Sequence, residues 1–275
     1  MIDILITGLN SYVGNSFYDY IKNNYNSDYN VYRISLKNTD IAQLDLKAYD
    51  VVLHVSGIAH SDYGRITEKR SNLYYEINTD LTCKLAKKAK EDGVTQFIYM
   101  SSIIVYGKSA PIGVKKNITK ETIPYPSNAY GDSKLKAEEK LKLLHDESFI
   151  ISIIRSPMVY GNNSKGNYKT LEKIALNMPF FPYVENEKSA IRIDNLCIFI
   201  KSIIDNKKSG IFFPQDEKYM NTSEMVKRIA NNNNNNILLL NGFVPILKFM
   251  SKFIPMINKA FGNMVYDREL YYKEF

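Results

Sequence analysis

The first half of the chain alternates short, largely apolar runs with segments whose apolar residues recur at helical spacing, and few folds accommodate that pattern. Ile2–Thr7, Asn30–Leu36, Val51–Ser56, Phe97–Ser101 and Phe149–Ile154 read as buried strands. Tyr12–Tyr25, Leu73–Lys90 and Tyr130–Leu144 read as the intervening helices, the second ended by Asp92-Gly93. Repeated strand–helix units joined by right-handed crossovers give an α/β fold, a doubly wound parallel sheet wrapped by helices.

The texture changes after Gly161. Asn162–Asn167 is a polar loop, and Met178-Pro-Phe-Phe-Pro-Tyr183 is turn-rich and apolar. A helix at Asn195–Asp205 and a strand at Ile211–Phe213 return to the main sheet. Thr222–Ala230 reads as an amphipathic helix capped by Thr222 or Ser223, and Asn231–Asn236 as a low-complexity surface loop. The expected division is a main domain of residues 1–160, with 191–213 returning to it, and a smaller C-terminal lobe of 161–190 and 214–275.

Cys83 and Cys197 follow no paired spacing, so neither a disulfide framework nor a metal site is read, and a reducing cytoplasm is the expected setting. The apolar start at Met1 reads as a strand rather than a leader. No run reaches the roughly 18 apolar residues of a membrane span. The nearest, Phe243–Phe261, is broken by Pro245, Lys248, Lys252 and Pro255; it is expected to pack the C-terminal lobe, with weak contact to a membrane surface as the alternative. The formal net charge of +7 suits an anionic ligand, but the basic residues are scattered and do not alternate with exposed aromatics, which argues against nucleic acid.

Between the first strand and first helix lies Gly8-Leu9-Asn10-Ser11-Tyr12-Val13-Gly14. A dinucleotide fold needs a tight turn here that brings backbone N–H groups to a pyrophosphate at a helix N-terminus. Gly8 and Gly14 meet the pattern, whereas Ser11 replaces its middle glycine. NAD is usually held by an acid closing the second strand. Ser35-Leu36-Lys37-Asn38 supplies none, and Lys37 can meet a 2′-phosphate, so NADP is favoured over NAD; a solvated lysine is the competing reading.

Tyr130 and Lys134 stand four residues apart on a predicted helix and share one face. An ammonium beside the phenol favours phenolate and lets the tyrosine exchange a proton near neutral pH. Such pairs arise by chance in a chain with 21 tyrosines. Context makes this one specific: Ser101-Ser102-Ile103-Ile104-Val105-Tyr106-Gly107 ends an interior strand, where open α/β sheets bind ligands.

These segments, with Arg155-Ser-Pro157-Met-Val-Tyr160-Gly161, occur in an order that resembles the extended short-chain dehydrogenase/reductases acting on nucleotide sugars, over nearly the whole chain. The resemblance implies a Rossmann domain with a substrate-binding C-terminal lobe and a catalytic trio of Ser102, Tyr130 and Lys134. It further implies cofactor contacts from Ser56, Gly57, Asn78 and Pro157, besides Asn10, Tyr12, Val13 and the turn glycines. Asn167 and Lys188 are its substrate-lining candidates, and Tyr183 and His60 are further candidates read from the residues themselves, each with an ordinary structural alternative. Ser102 is preferred to Ser101 because it stands four residues before Tyr106.

Ile103-Ile104 stands where sugar-nucleotide 4,6-dehydratases carry an Asp-Glu pair and where GDP-fucose synthase-like enzymes carry a cysteine, so neither reaction is expected. What remains is hydride transfer at one carbon, with Tyr130 handling the proton, and the resemblance implies that this carbon is C4 of a UDP-sugar. The favoured reading is reduction of a UDP-4-keto-6-deoxy-N-acetylhexosamine for capsule or O-antigen polysaccharide. A UDP-hexose 4-epimerase is the alternative, and a non-catalytic NAD(P) sensor stands behind both. Relatives of this kind pair as homodimers through helices that correspond here to Leu73–Lys90 and Tyr130–Leu144.

Overall fold

A computed structural model of the protein describes residues 1–58, 68–164 and 166–272. The chain lays down β1 (Ile2–Thr7), α1 (Tyr12–Asn24), β2 (Tyr29–Ile34) and β3 (Val51–His54). A helical rod follows, made of α2 (Glu68–Tyr75), a π-helical turn (Glu76–Leu81) and α3 (Thr82–Glu91). Next come β4 (Gln96–Ser102), a 3-10 turn (Ile103–Tyr106), β5 (Asn117–Ile118), α4 (Ala129–Lys142), β6 (Ile150–Ser156) and β7 (Met158–Tyr160). The remainder is α5 (Asn167–Asn177), β8 (Phe180–Pro182), β9 (Ala190–Arg192), α6 (Ile193–Asp205), β10 (Gly210–Phe212), α7 (Thr222–Asn232), β11 (Leu238–Leu240), α8 (Val244–Met250), α9 (Pro255–Phe261) and β12 (Val265–Tyr266).

Six strands form one parallel sheet in the order β10-β6-β4-β3-β1-β2. The doubly wound α/β sheet expected from the alternating pattern is present. Its register sets Thr7 beside His54 and His54 beside Tyr99, so the carboxyl ends of β1, β3 and β4 come level. The chain leaves β1 for β2 on one side, while β3 pairs on the other. That reversal opens a crevice at the strand ends. Leu5, Val52, Phe97, Tyr99, Ile151 and Ile153 point to one face, where Leu85, Ala86 and Ala89 of α3 and Ala137 and Leu141 of α4 cover them. Small alanines let these helices lie close to the sheet.

The chain divides into two compact units: 1–107, 124–156 and 193–214, and 108–123, 157–192 and 215–275. The sequence reading keeps 108–123 and 157–160 with the main sheet, but both belong to the second unit. The cause is long-range pairing that no local pattern announces: β5 pairs with β12, Ala110 with Asn263, and β7 with β9. Leu171 and Ala175 of α5 and Met225, Val226, Ile229 and Ala230 of α7 supply much of that unit's core.

Two local expectations need correction. Asn221, not Thr222 or Ser223, caps α7, its Oδ1 accepting from the N–H groups of Ser223 and Glu224 at 2.9 and 3.0 Å. The asparagine run is also more than a surface loop. α7 extends to Asn232, and Asn235 donates to the Ala175 and Leu176 carbonyls at 2.8 and 3.1 Å, satisfying the end of α5.

Candidate active site

The turn after β1 is built for close approach. Gly8 has a φ of +98°, and a Cβ there would lie 3.0 Å from Ser56 Oγ and 3.2 Å from Ser56 backbone atoms. Only glycine meets both demands. Ser11, in the place of the pattern's middle glycine, caps α1 by accepting from Gly14 N–H at 3.2 Å. At Gly14 a Cβ would meet Val55 at 2.9 Å and Ile6 at 3.0 Å, so the helix sits tightly on the strands. The first turn of α1 holds no acidic residue, which leaves its positive dipole end unopposed toward an anion. Asn10 is exposed at the tip of the turn, and Tyr12 and Val13 open the helix. These features suit a dinucleotide pyrophosphate. Beyond β2, Lys37 is exposed on the loop.

The end of β3 runs as closely against the helices. Gly57 leaves no room for a side chain: a Cβ would stand 2.9 Å from Asn78 Oδ1 and 3.3 Å from Lys134 Nζ. Asn78, read from sequence as a helix residue near the site, is fully buried on the π-helical turn. It accepts from Ile58 N–H at 2.9 Å and donates to Ile58 O and Ser133 Oγ, each at 3.1 Å. Ser133 Oγ in turn donates to the Tyr130 carbonyl at 2.9 Å, and Thr79 Oγ1 to the Ser133 carbonyl at 2.7 Å. Widened helical turns of this sort tend to occur at functional sites. This one ties the β3 loop to the turn of α4 that carries Tyr130.

α4 begins at an Asn128 cap whose Oδ1 accepts from Gly131 N–H at 2.8 Å. A Cβ at Gly131 would meet the Ile104 carbonyl at 2.8 Å, so the 3-10 turn after β4 rests on the helix next to Tyr130. Tyr130 is partly exposed, with its ring centroid 5.9 Å from that of Tyr74. Lys134 is buried; its Nζ donates to the Met100 carbonyl at 2.9 Å and lies 4.6 Å from the Tyr99 ring centroid. Burial lowers its pKa to about 8, against an opposing pull from the Glu138 carboxylate.

The two serines ending β4 take opposite directions, as successive strand residues must. Ser101 is buried and donates to Glu138, which also holds Arg155 through paired hydrogen bonds, the shortest 2.6 Å. Arg155 Nη1 further donates to Tyr106 Oη at 2.5 Å. Ser102 is partly exposed, and its Oγ accepts a long 3.3 Å bond from Ile104 N–H. The Glu138–Arg155–Tyr106–Ser101 cluster was not anticipated. Its signal was available, since Glu138 lies one further turn along the Tyr130/Lys134 face and Arg155 opens the segment already singled out. His54 is also new: fully buried, bonded to Thr7 Oγ1 at 2.7 Å and Thr82 Oγ1 at 2.9 Å, and stacked on Tyr99.

A match to the model of the NAD dependent epimerase/dehydratase family covers residues 4–178, the span that holds this turn and this trio. The chain belongs to that family. Among curated relatives, the UDP-glucose 4-epimerase of Vibrio cholerae is 35% identical over 194 residues, 68% of this chain and 58% of the relative. An N-acetyl-α-D-glucosaminyl-diphospho-ditrans,octacis-undecaprenol 4-epimerase of Escherichia coli O157:H7 is 30% identical over 169 residues, 58% of this chain and 49% of the relative. The chain thus spans about half the length of these relatives. In fold it is similar to a dTDP-4-dehydrorhamnose reductase of Clostridium acetobutylicum, with a TM-score of 0.70 at 21% identity over 88% of this chain and 84% of that one.

Pro157, Asn167, Tyr183 and Lys188 lie in the second unit. Pro157 is buried between β6 and β7, Asn167 opens α5 as its first residue rather than its cap, and Tyr183 is half-buried after β8. Lys188 Nζ donates to the Lys259 carbonyl at 2.9 Å and lies 3.4 Å from Ser109 Oγ; burial and the Lys259 charge lower its pKa to about 8. His60 falls outside the described residues.

Proposed function

We propose that the protein is an NAD(P)-dependent oxidoreductase acting at C4 of a UDP-sugar, with Tyr130 as the proton-transfer group. The observation that carries this reading is the buried Lys134 ammonium, fixed on the Met100 carbonyl one helical turn from the partly exposed Tyr130 phenol. The dinucleotide would be held by the Gly8–Gly14 turn, Ser56, Gly57 and Asn78, and would supply the two-electron transfer. Everything else falls to the chain's own side chains. Tyr130 gives a proton to the C4 oxygen during reduction, or takes one during oxidation. Lys134 favours the phenolate electrostatically, and Ser102 Oγ, turned away from the Ser101–Glu138 cluster, donates to the same oxygen.

The direction we favour is reduction of a UDP-4-keto-6-deoxy-N-acetylhexosamine, in polysaccharide synthesis. Ser35-Leu36-Lys37 supplies no carboxylate for a 2′-hydroxyl and does supply a cation for a 2′-phosphate, which suits NADPH. The second reading, 4-epimerisation with retained NAD, is supported by the likeness to the Vibrio and Escherichia 4-epimerases. Asn167, Tyr183, Lys188, Pro157 and His60 are assigned to the substrate and nicotinamide side. Pairing of two copies through α2–α3 and α4 is part of the proposal, with Leu73 exposed on α2 and Leu143 exposed at the end of α4.

Titration with NADPH and NADH, then turnover of UDP-4-keto-6-deoxy-GlcNAc, UDP-GlcNAc and UDP-glucose in separate reactions, tests the assignment. Net NADPH oxidation with the keto-sugar supports the reductase, and C4 interconversion without net cofactor change supports the epimerase. Cofactor binding with no turnover of any of the three refutes both and leaves a sensor.

A further inference from the structure

α8 and α9, joined by residues 251–254, form an apolar segment with two unlike sets of side chains. Val244, Leu247, Ile257, Ala260 and Phe261 pack on the core of the second unit. The other side buries nothing: Ile246 is 56%, Phe249 63%, Phe253 72% and Met256 52% exposed, with Phe243, Met250 and Ile254 exposed beside them. Phe249 and Phe253 meet edge-on with ring centroids 5.5 Å apart, so the patch continues from α8 into the turn that follows it. Scattered exposed apolar side chains are ordinary, but a run of this kind marks a surface that meets something. The sequence reading expected the segment mainly to pack its own lobe; only its inner side does.

The charges around the patch identify what it meets. Residues 243–261 hold Lys248, Lys252 and Lys259 and no acidic residue, in a chain with 29 of them. We propose that the outer side of α8–α9 docks on a bilayer rich in anionic lipid, with Ile246, Phe249 and Phe253 entering the acyl boundary and the lysines meeting lipid phosphates. Apolar side chains flanked only by cations fit an interfacial segment. A second copy fits poorly, because a two-fold contact through this face would set lysines against lysines. No helix among the described residues is long and apolar enough to cross a membrane. The proposal is independent of the reaction above, and its test uses no turnover.

The test is flotation of the full chain with vesicles of phosphatidylethanolamine and phosphatidylglycerol, and with vesicles of phosphatidylcholine alone, at low and high salt. The chain floats with the anionic vesicles and not with the neutral ones. Lys248→Gln with Lys252→Gln weakens partitioning about twenty-fivefold at low salt, at about fivefold per lysine. Phe249→Ser with Phe253→Ser weakens it by at least about tenfold at either salt. Both double variants keep a melting temperature near the native one, because these side chains are exposed and their contacts, Phe249 with Phe253 and Lys248 beside Gly113, lie at the surface. Absence of flotation, equal binding to neutral vesicles, or unchanged binding of either variant overturns the proposal. Self-association lost in the Phe249/Phe253 variant, without vesicle binding, assigns the face to a second copy instead and also overturns it.

Discussion

Gly57→Ala is the smallest perturbation that reaches the proposed centre. Gly57 has no left-handed φ to lose, so alanine costs nothing in backbone conformation and the whole effect comes from space. Its methyl would arrive 2.9 Å from Asn78 Oδ1 and 3.3 Å from Lys134 Nζ, and neither neighbour can retreat freely. Asn78 holds Ile58 through both amide atoms, and Lys134 holds the Met100 carbonyl at 2.9 Å. Overpacking of this kind costs about 1–3 kcal/mol of stability. Losing the ammonium–carbonyl bond is worth about 1.5–3 kcal/mol, and if that is lost from the reacting geometry, kcat falls about ten- to hundredfold. The assay is a double-mutant cycle with Asn78→Ala, reading kcat, the cofactor Kd and the melting temperature. Asn78→Ala removes the colliding oxygen, so Gly57→Ala should cost less in that background. An additive cycle, or a single variant with native kcat, would refute the argument that Gly57 is reserved for Asn78 and Lys134.

Glu138→Gln leaves the Arg155 guanidinium buried without its counter-charge, at a cost of about 3–5 kcal/mol in denaturant unfolding. The same change removes the carboxylate that holds up the Lys134 pKa, so the alkaline limb of the kcat/KM profile moves to lower pH; a stable variant with an unmoved limb contradicts this. Burial lowers the His54 pKa from 6.5 to about 3, so between those values the unfolded chain binds more protons and stability falls as pH drops. From pH 7 to pH 5 that loss is about 2 kcal/mol, and a folded-state NMR titration should show the imidazole neutral at pH 5; titration near pH 6.5 contradicts its burial.

Local periodicity carried much of the fold. The inner strands β1, β3, β4 and β6 were legible because their residues are largely buried on both faces, and the Tyr130/Lys134 pair because four residues make about one turn. The π-helical turn was not legible, since Glu76–Leu81 is an ordinary helical sequence whose widening answers to Asn78 and Thr79 meeting Ser133 across the core. Asn221-Thr222-Ser223 offers three capping side chains in a row, and only the backbone decides between them. β5, β7 and β12 are two or three residues long and exist through distant partners, which is why 108–123 was assigned to the wrong unit. The Glu138–Arg155 pair joins residues on different elements, so neither side chain declares its partner. The outer side of α8 hid for a different reason: apolar residues predict burial, and here they face solvent.

The central claim is that a phenol on α4 moves the proton while two electrons pass at C4 of a UDP-sugar. Single-turnover reaction of the native chain and of Tyr130→Phe with UDP-4-keto-6-deoxy-GlcNAc and C4-deuterated NADPH, read by NMR of the sugar, tests it most directly. The account predicts deuterium at C4 from the native chain and a loss of at least about a hundredfold in rate for Tyr130→Phe, the scale of general acid catalysis, with NADPH affinity nearly unchanged. Deuterium transfer by Tyr130→Phe at the native rate would contradict it.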